Sequence, residues 1–103
     1  MSEQDTPTPK TLVHPLVDVF ENDEEFLLVA DLPGVSKEAL NITVNGDTLE
    51  LSAETEALEY RRSFVLGDDF ALDAVEAKLE HGELRVHLPK RAELRVRKIA
   101  VSS

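Results

Sequence analysis

The chain has 103 residues, 42% of them hydrophobic, which is enough for one domain with one core and too few for two. It has no cysteine, so a disulfide framework, a thiolate metal site and a cysteine nucleophile are all excluded. Twenty-one acidic against eleven basic side chains give a net charge of −10, a surface that repels phosphate backbones and anionic lipid, and neither nucleic acid nor membrane is expected as a partner.

In chain order, residues 1–13 are polar and carry Pro7 and Pro9. They hold too little apolar surface to offset the entropy of ordering, and read as a flexible arm without a basic head or an apolar leader. No later stretch approaches the roughly 20 apolar residues of a membrane span, and the expected location is the cytoplasm. From Leu16 the chain becomes a succession of short strands. Leu16 to Phe20 is followed by the acidic turn Glu21-Asn22-Asp23-Glu24 and by Phe26 to Leu32, whose unbroken Phe-Leu-Leu-Val-Ala run predicts burial on both faces. Pro33-Gly34 ends that strand. Ser36 to Ala39 then suits one helical turn capped by Ser36, which delivers Leu40, Ile42 and Val44 to a new alternating strand.

Asn45-Gly46 is a strong hairpin signal, because both residues tolerate the positive φ angles of a type I′ turn, and it joins Leu40–Val44 to Leu49–Ala53. Leu58 to Leu66 is the next strand, with Tyr60, Arg62 and Phe64 on one side, and Gly67-Asp68-Asp69 opens a loop after it. Val75, Ala77 and Leu79 alternate with polar residues up to His81-Gly82. Leu84, Val86 and Leu88 resume the alternation, a second hairpin that Pro89 terminates. Leu94, Val96, Ile99 and Val101 mark an extended tail in which the phase shifts after Val96, and the basic residues Arg95, Arg97 and Lys98 fit a charged strand face there. Seven to eight short strands with turn signals between them, and no sustained helical period, predict an all-β fold: an antiparallel, immunoglobulin-like β-sandwich. Its expected bounds are an arm over 1–13, the sandwich over 14–91 and a C-terminal extension over 92–103.

Catalytic chemistry finds little support. His14, His81 and His87 fall in the arm, a turn and the polar face of a strand with no metal-ligand spacing, so no metal site is expected. Asp23-Glu24-Glu25 and Asp68-Asp69 are turn acids, and no glycine-rich loop precedes a helix. Neither an enzyme nor a cofactor is expected. A sandwich does leave open strand edges, whose unpaired N–H and C=O groups can accept an extended segment.

Four stretches in order resemble the small heat-shock protein (Hsp20, α-crystallin domain) family: Asp18 to Val35 with Ala30-Asp31-Leu32-Pro33-Gly34-Val35, then Leu49 to Ala53, then Tyr60 to Leu66, then Ala77 to Lys90. In the last of these His81 stands where the family commonly has asparagine. The resemblance implies an ATP-independent chaperone that binds partly unfolded client proteins. It also nominates Ile42, Val44, Val75 and Leu79 as walls of a groove, with Ile99 and Val101 as the tail residues that occupy it. The alternatives are that Ile99 and Val101 extend the last strand within their own subunit, or that Leu94-Arg95-Val96 serves instead. Arg62 matches the arginine that the family places at a subunit contact. The connection from Glu54 to Leu58 is too short to carry the long swapped loop of bacterial and plant members, and a monomer or dimer is expected. A second reading is a non-chaperone adapter, or a co-subunit that assembles with a larger homologue.

Overall fold

The computed structural model describes residues 9–92 and 99–102. Among them eight strands form two four-stranded sheets. The strands are β1 (Thr11–Val13), β2 (Val17–Glu21), β3 (Glu25–Asp31), β4 (Leu40–Asn45), β5 (Thr48–Glu54), β6 (Leu58–Val65), β7 (Glu76–Glu80) and β8 (Glu83–Pro89). One sheet runs β1-β6-β5-β4 and the other β2-β3-β8-β7.

The alternation read from the sequence places the core. In β5, Leu49, Leu51 and Ala53 point inward, and across the strand pair they meet Phe64, Arg62 and Tyr60. In β8, Leu84 and Val86 lie opposite Ala30 and Leu28 of β3 and Leu79 and Ala77 of β7. With Leu32, Val35 and Leu88 these inner faces make one continuous cluster, and no polar or charged side chain is buried among the described residues. Tyr60 reaches across the sandwich so that its hydroxyl donates to the Pro33 carbonyl at 3.4 Å. At the exit of β3, the Leu32 amide donates to the Gly82 carbonyl at 2.7 Å, locking that corner to the β7–β8 turn.

Several local expectations change. The last three residues assigned to the flexible arm form β1, which pairs in parallel with β6 (Thr11↔Leu58, Val13↔Tyr60), so the first sheet is not wholly antiparallel. Val13 packs against the core, which supplies apolar contact that the composition of the arm as a whole did not suggest. Residues 1–8 lie outside the described set. In β3 only Leu28 and Ala30 are buried, whereas Leu27 and Val29 are half-buried on the outer face beside Phe20, His87, Asp18 and Arg85. An apolar run in a sandwich of two layers needs cover on one side only. The turn before β4 is a single 3-10 turn over Lys37–Ala39, and Ser36 makes no side-chain cap bond; its carbonyl takes the Ala39 amide instead.

The two hairpin turns exchange roles. Asn45 stays in register with Thr48, and the loop residues are Gly46 and Asp47, of which only Gly46 has positive φ (64°). That pattern is the glycine-first type II′ rather than type I′. At the second hairpin both loop residues, His81 (φ 51°) and Gly82 (φ 76°), are left-handed, as type I′ requires.

Candidate functional site

Every open sandwich has free edges, and here β4 and β7 are the terminal strands of their sheets. An apolar opening of about 280 Å³, lined by residues that include Val19, Phe26, Phe64 and Phe70, places the end of β6 against β2 and β3. The free edges of β4 and β7 therefore share the opposite flank. Alternation sends Leu40, Ile42 and Val44 of β4 to the inner face, opposite Ala53, Leu51 and Leu49. On β7 the inner residues are Ala77 and Leu79, with Val75 just before the strand.

Of the four residues nominated as groove wall, Ile42, Val75 and Leu79 are half-buried against the core, and Val44 is 38% exposed. They thus lie at the ends of the two sheets that the core leaves uncovered. Ala77 belongs with them: it is exposed and shares the inner face with Leu79. Its place was readable from the Val75-Ala77-Leu79 alternation, and a small side chain between two larger ones leaves a dip in the edge. Ile99 and Val101 are 83% and 93% exposed and lie in no strand, in contrast to the alternative that they extend a last strand of their own subunit. Leu94-Arg95-Val96 lies outside the described residues.

Arg62 sits on the inner side of β6 beneath the crossover that joins β1 to β2. Its Nη1 donates to the Pro15 carbonyl at 3.1 Å, and the guanidinium lies 5.1 Å from the centre of the Phe64 ring. Beside it the Arg61 carbonyl meets Nδ1 of His14 at 3.1 Å. Together with the Thr11 amide bonded to Ala57 O, these contacts fasten β1 along the first half of the β6 edge. The connection between β5 and β6 is the three residues Thr55 to Ala57, closed by a Thr55 Oγ1 bond from the Leu58 amide.

The polar outer face of β7 and β8 is cross-linked along its strands by Lys78–Glu80 (2.6 Å) and Arg85–Glu83 (2.8 Å). The hydrogen bond from the Lys78 ammonium, followed by its charge, holds the Glu80 carboxyl below its ordinary pKa. Among the described residues no group of three histidine, cysteine or acidic side chains is placed to hold a metal ion. None of their helices is long and apolar enough to cross a membrane.

The Hsp20/alpha crystallin family model matches residues 18–102. The chain belongs to that family. Its relatives include the probable 15 kDa heat shock protein of Leptospira interrogans, 31% identical over 89% of this chain and 81% of that one. The spore protein SP21 of Stigmatella aurantiaca is 32% identical over 86% of this chain, which spans 62% of that protein's length. Among solved structures, a small heat-shock protein from Xylella fastidiosa superposes with a TM-score of 0.70 at 28% identity, covering 86% of this chain and 96% of that one. Membership of the Hsp20 family supports a chaperone role in general. The β-sandwich is the architecture that this chain shares with that solved small heat-shock protein.

Proposed function

We propose that this Hsp20 chain is an ATP-independent holdase: it takes extended apolar segments of partly unfolded proteins along the β4–β7 flank and keeps them from aggregating. The observation that carries the reading is the coincidence of two unpaired strand edges with a row of incompletely covered apolar side chains, Ile42, Val44, Val75, Ala77 and Leu79. Edge N–H and C=O groups supply backbone hydrogen bonds to any sequence, and the apolar row supplies a preference for greasy side chains. In this reading the chain's own Ile99 and Val101, which stand exposed outside the groove here, are the segment that fills it when no client is bound.

The energetics suit an exchanging site. Burying two aliphatic side chains yields about 1.5 to 3 kcal/mol each before the cost of ordering the segment. A single contact is then no tighter than roughly millimolar. A tail held so weakly screens the groove and yields to a client that offers many apolar segments at once, whose contacts add by avidity. The net charge of −10 keeps such complexes dispersed.

Assembly is small in this reading, a monomer or a dimer. The β5–β6 connection is too short to swap, and β1 occupies the start of the β6 edge. Arg62 contributes to a subunit contact through the N–H groups left over from its bond to Pro15. An adapter for one partner, or a co-subunit of a larger homologue, is the second reading, favoured by that partly covered edge.

The deciding experiment is suppression of heat aggregation of several unrelated clients at stoichiometric ratio, by light scattering. Wild type should protect all of them, and the surface variants Val44→Asp and Ala77→Asp should protect poorly while keeping the native circular dichroism spectrum. Protection of one client alone supports the adapter, and full activity of both variants removes the groove.

A further inference from the structure

We infer that the β4–β7 groove selects extended segments in which apolar residues alternate with lysine or arginine, and that ionic strength governs their occupancy. This rests on the groove reading above and adds a substrate class to it. The two free edges with their flanking turns, residues 37–47 and 73–81, carry Glu38, Asp47, Asp73, Glu76 and Glu80 against only Lys37 and Lys78. All seven are exposed. Lys78 is engaged by Glu80 at 2.6 Å, so its ammonium group does little to offset the remaining carboxylates. Glu38 and Asp73 stand in the 3-10 turns that lead into β4 and β7, and Asp47 in the turn that leaves β4, so acid frames the flank along its length.

The complement is written in the same chain. Residues 94–101 read Leu-Arg-Val-Arg-Lys-Ile-Ala-Val: three bases, no acid, and two apolar pairs, Leu94 with Val96 and Ile99 with Val101, which lie in opposite phase so that one pair at a time faces inward. In a protein with nearly two acids per base this is a local inversion of charge. A segment laid along the groove with Leu94 and Val96 on Ile42, Val44 and Leu79 leaves Arg95 and Arg97 over the acidic frame, and one with Ile99 and Val101 seated there leaves Lys98 over it. Clients that displace the tail must match both features. Basic, apolar stretches compete well, whereas acidic stretches of equal hydropathy meet repulsion from the same carboxylates.

The test uses the full-length chain carrying Ile99→Ala and Val101→Ala, so that its own tail does not compete, and follows three dye-labelled peptides by fluorescence anisotropy. The first has the sequence of residues 92–102, the second replaces Arg95, Arg97 and Lys98 by glutamate, and the third replaces Ile99 and Val101 by alanine. Reversing three charges held roughly 8 Å from carboxylates in water weakens binding by at least about tenfold in 20 mM salt, and by about twofold in 500 mM. The exposed pair Glu76→Lys and Glu80→Lys should narrow the same gap. Equal affinity of the first two peptides, within twofold at low salt, overturns charge selection and leaves the groove standing, provided that the third binds more weakly. A third peptide as tight as the first shows attraction by charge alone, and overturns the groove reading together with this one. No binding of any peptide at millimolar protein overturns both.

Discussion

Gly82 is the residue at which the fold should be most sensitive to one added carbon. Its φ is +76°, and a Cβ built there would lie 3.2 Å from the Pro33 Cα and 3.4 Å from the Leu32 carbonyl oxygen, both backbone atoms. The same residue's carbonyl accepts the Leu32 amide at 2.7 Å, so neither side of the contact can retreat without stretching that bond. Gly46 is an internal control: its φ is +64°, and a Cβ there would meet nothing within 4 Å. Gly46→Ala therefore costs only the left-handed penalty, about 1 kcal/mol after the entropy gained by restricting the unfolded chain. Gly82→Ala adds the overpacking of a closed corner, about 1 to 3 kcal/mol more. For a domain of this size, about 1 kcal/mol moves the midpoint by roughly 4 to 8 °C, so Gly82→Ala should melt more than about 10 °C below wild type and Gly46→Ala roughly 5 °C below. The chain has no tryptophan, and far-UV circular dichroism in urea and on heating is the appropriate probe. Equal destabilisation of the two variants would refute the argument that the Pro33 corner closes on the β7–β8 turn.

His81 is the one described residue other than glycine with positive φ, so His81→Asn should stabilise the protein by up to about 1 kcal/mol, because asparagine tolerates the left-handed region better; chemical denaturation reads this directly. Arg62→Ala removes the bond to Pro15 O and the packing on Phe64, and hydrogen exchange of the Thr11 amide should quicken by about fivefold, the equivalent of roughly 1 kcal/mol of local stability, with the amides of β5 unchanged. Lys78→Ala should let the Glu80 carboxyl titrate at a higher pH than in wild type, since the group that holds its pKa down is gone; side-chain NMR across the acid range follows this.

What could be read from the sequence, and what could not, follows the range of the interactions. Period-2 alternation placed Leu49, Leu51, Leu84 and Val86 on inner faces, because burial of one sheet face acts on every second residue of a strand. Both hairpins were legible, yet their turn types were not. Asn45 keeps its pairing with Thr48, while His81 adopts the conformation expected of the asparagine, since the β7–β8 corner is held from outside by Leu32. The strand Thr11–Val13 was missed for a related reason. Three residues carry no period of their own, and their partner lies on Leu58–Tyr60, far along the chain. At the candidate site, alternation put Ile42, Val75 and Leu79 on inner faces, while the resemblance to the Hsp20 family nominated them as groove wall. That they lie on one flank depends on sheet order, which no local pattern encodes.

The parallel pairing of β1 with β6 also bears on synthesis. Thr11 emerges from the ribosome 47 residues before its register partner Leu58, which at cellular elongation rates of about 5 to 20 residues per second means a wait of roughly 2 to 10 s. During that interval the two sheets cannot yet be complete, and a longer or greasier first strand would be a ready seed for association between nascent chains. Its brevity, with one threonine among its three residues, fits a segment that must stay harmless until the last of its neighbours has been made.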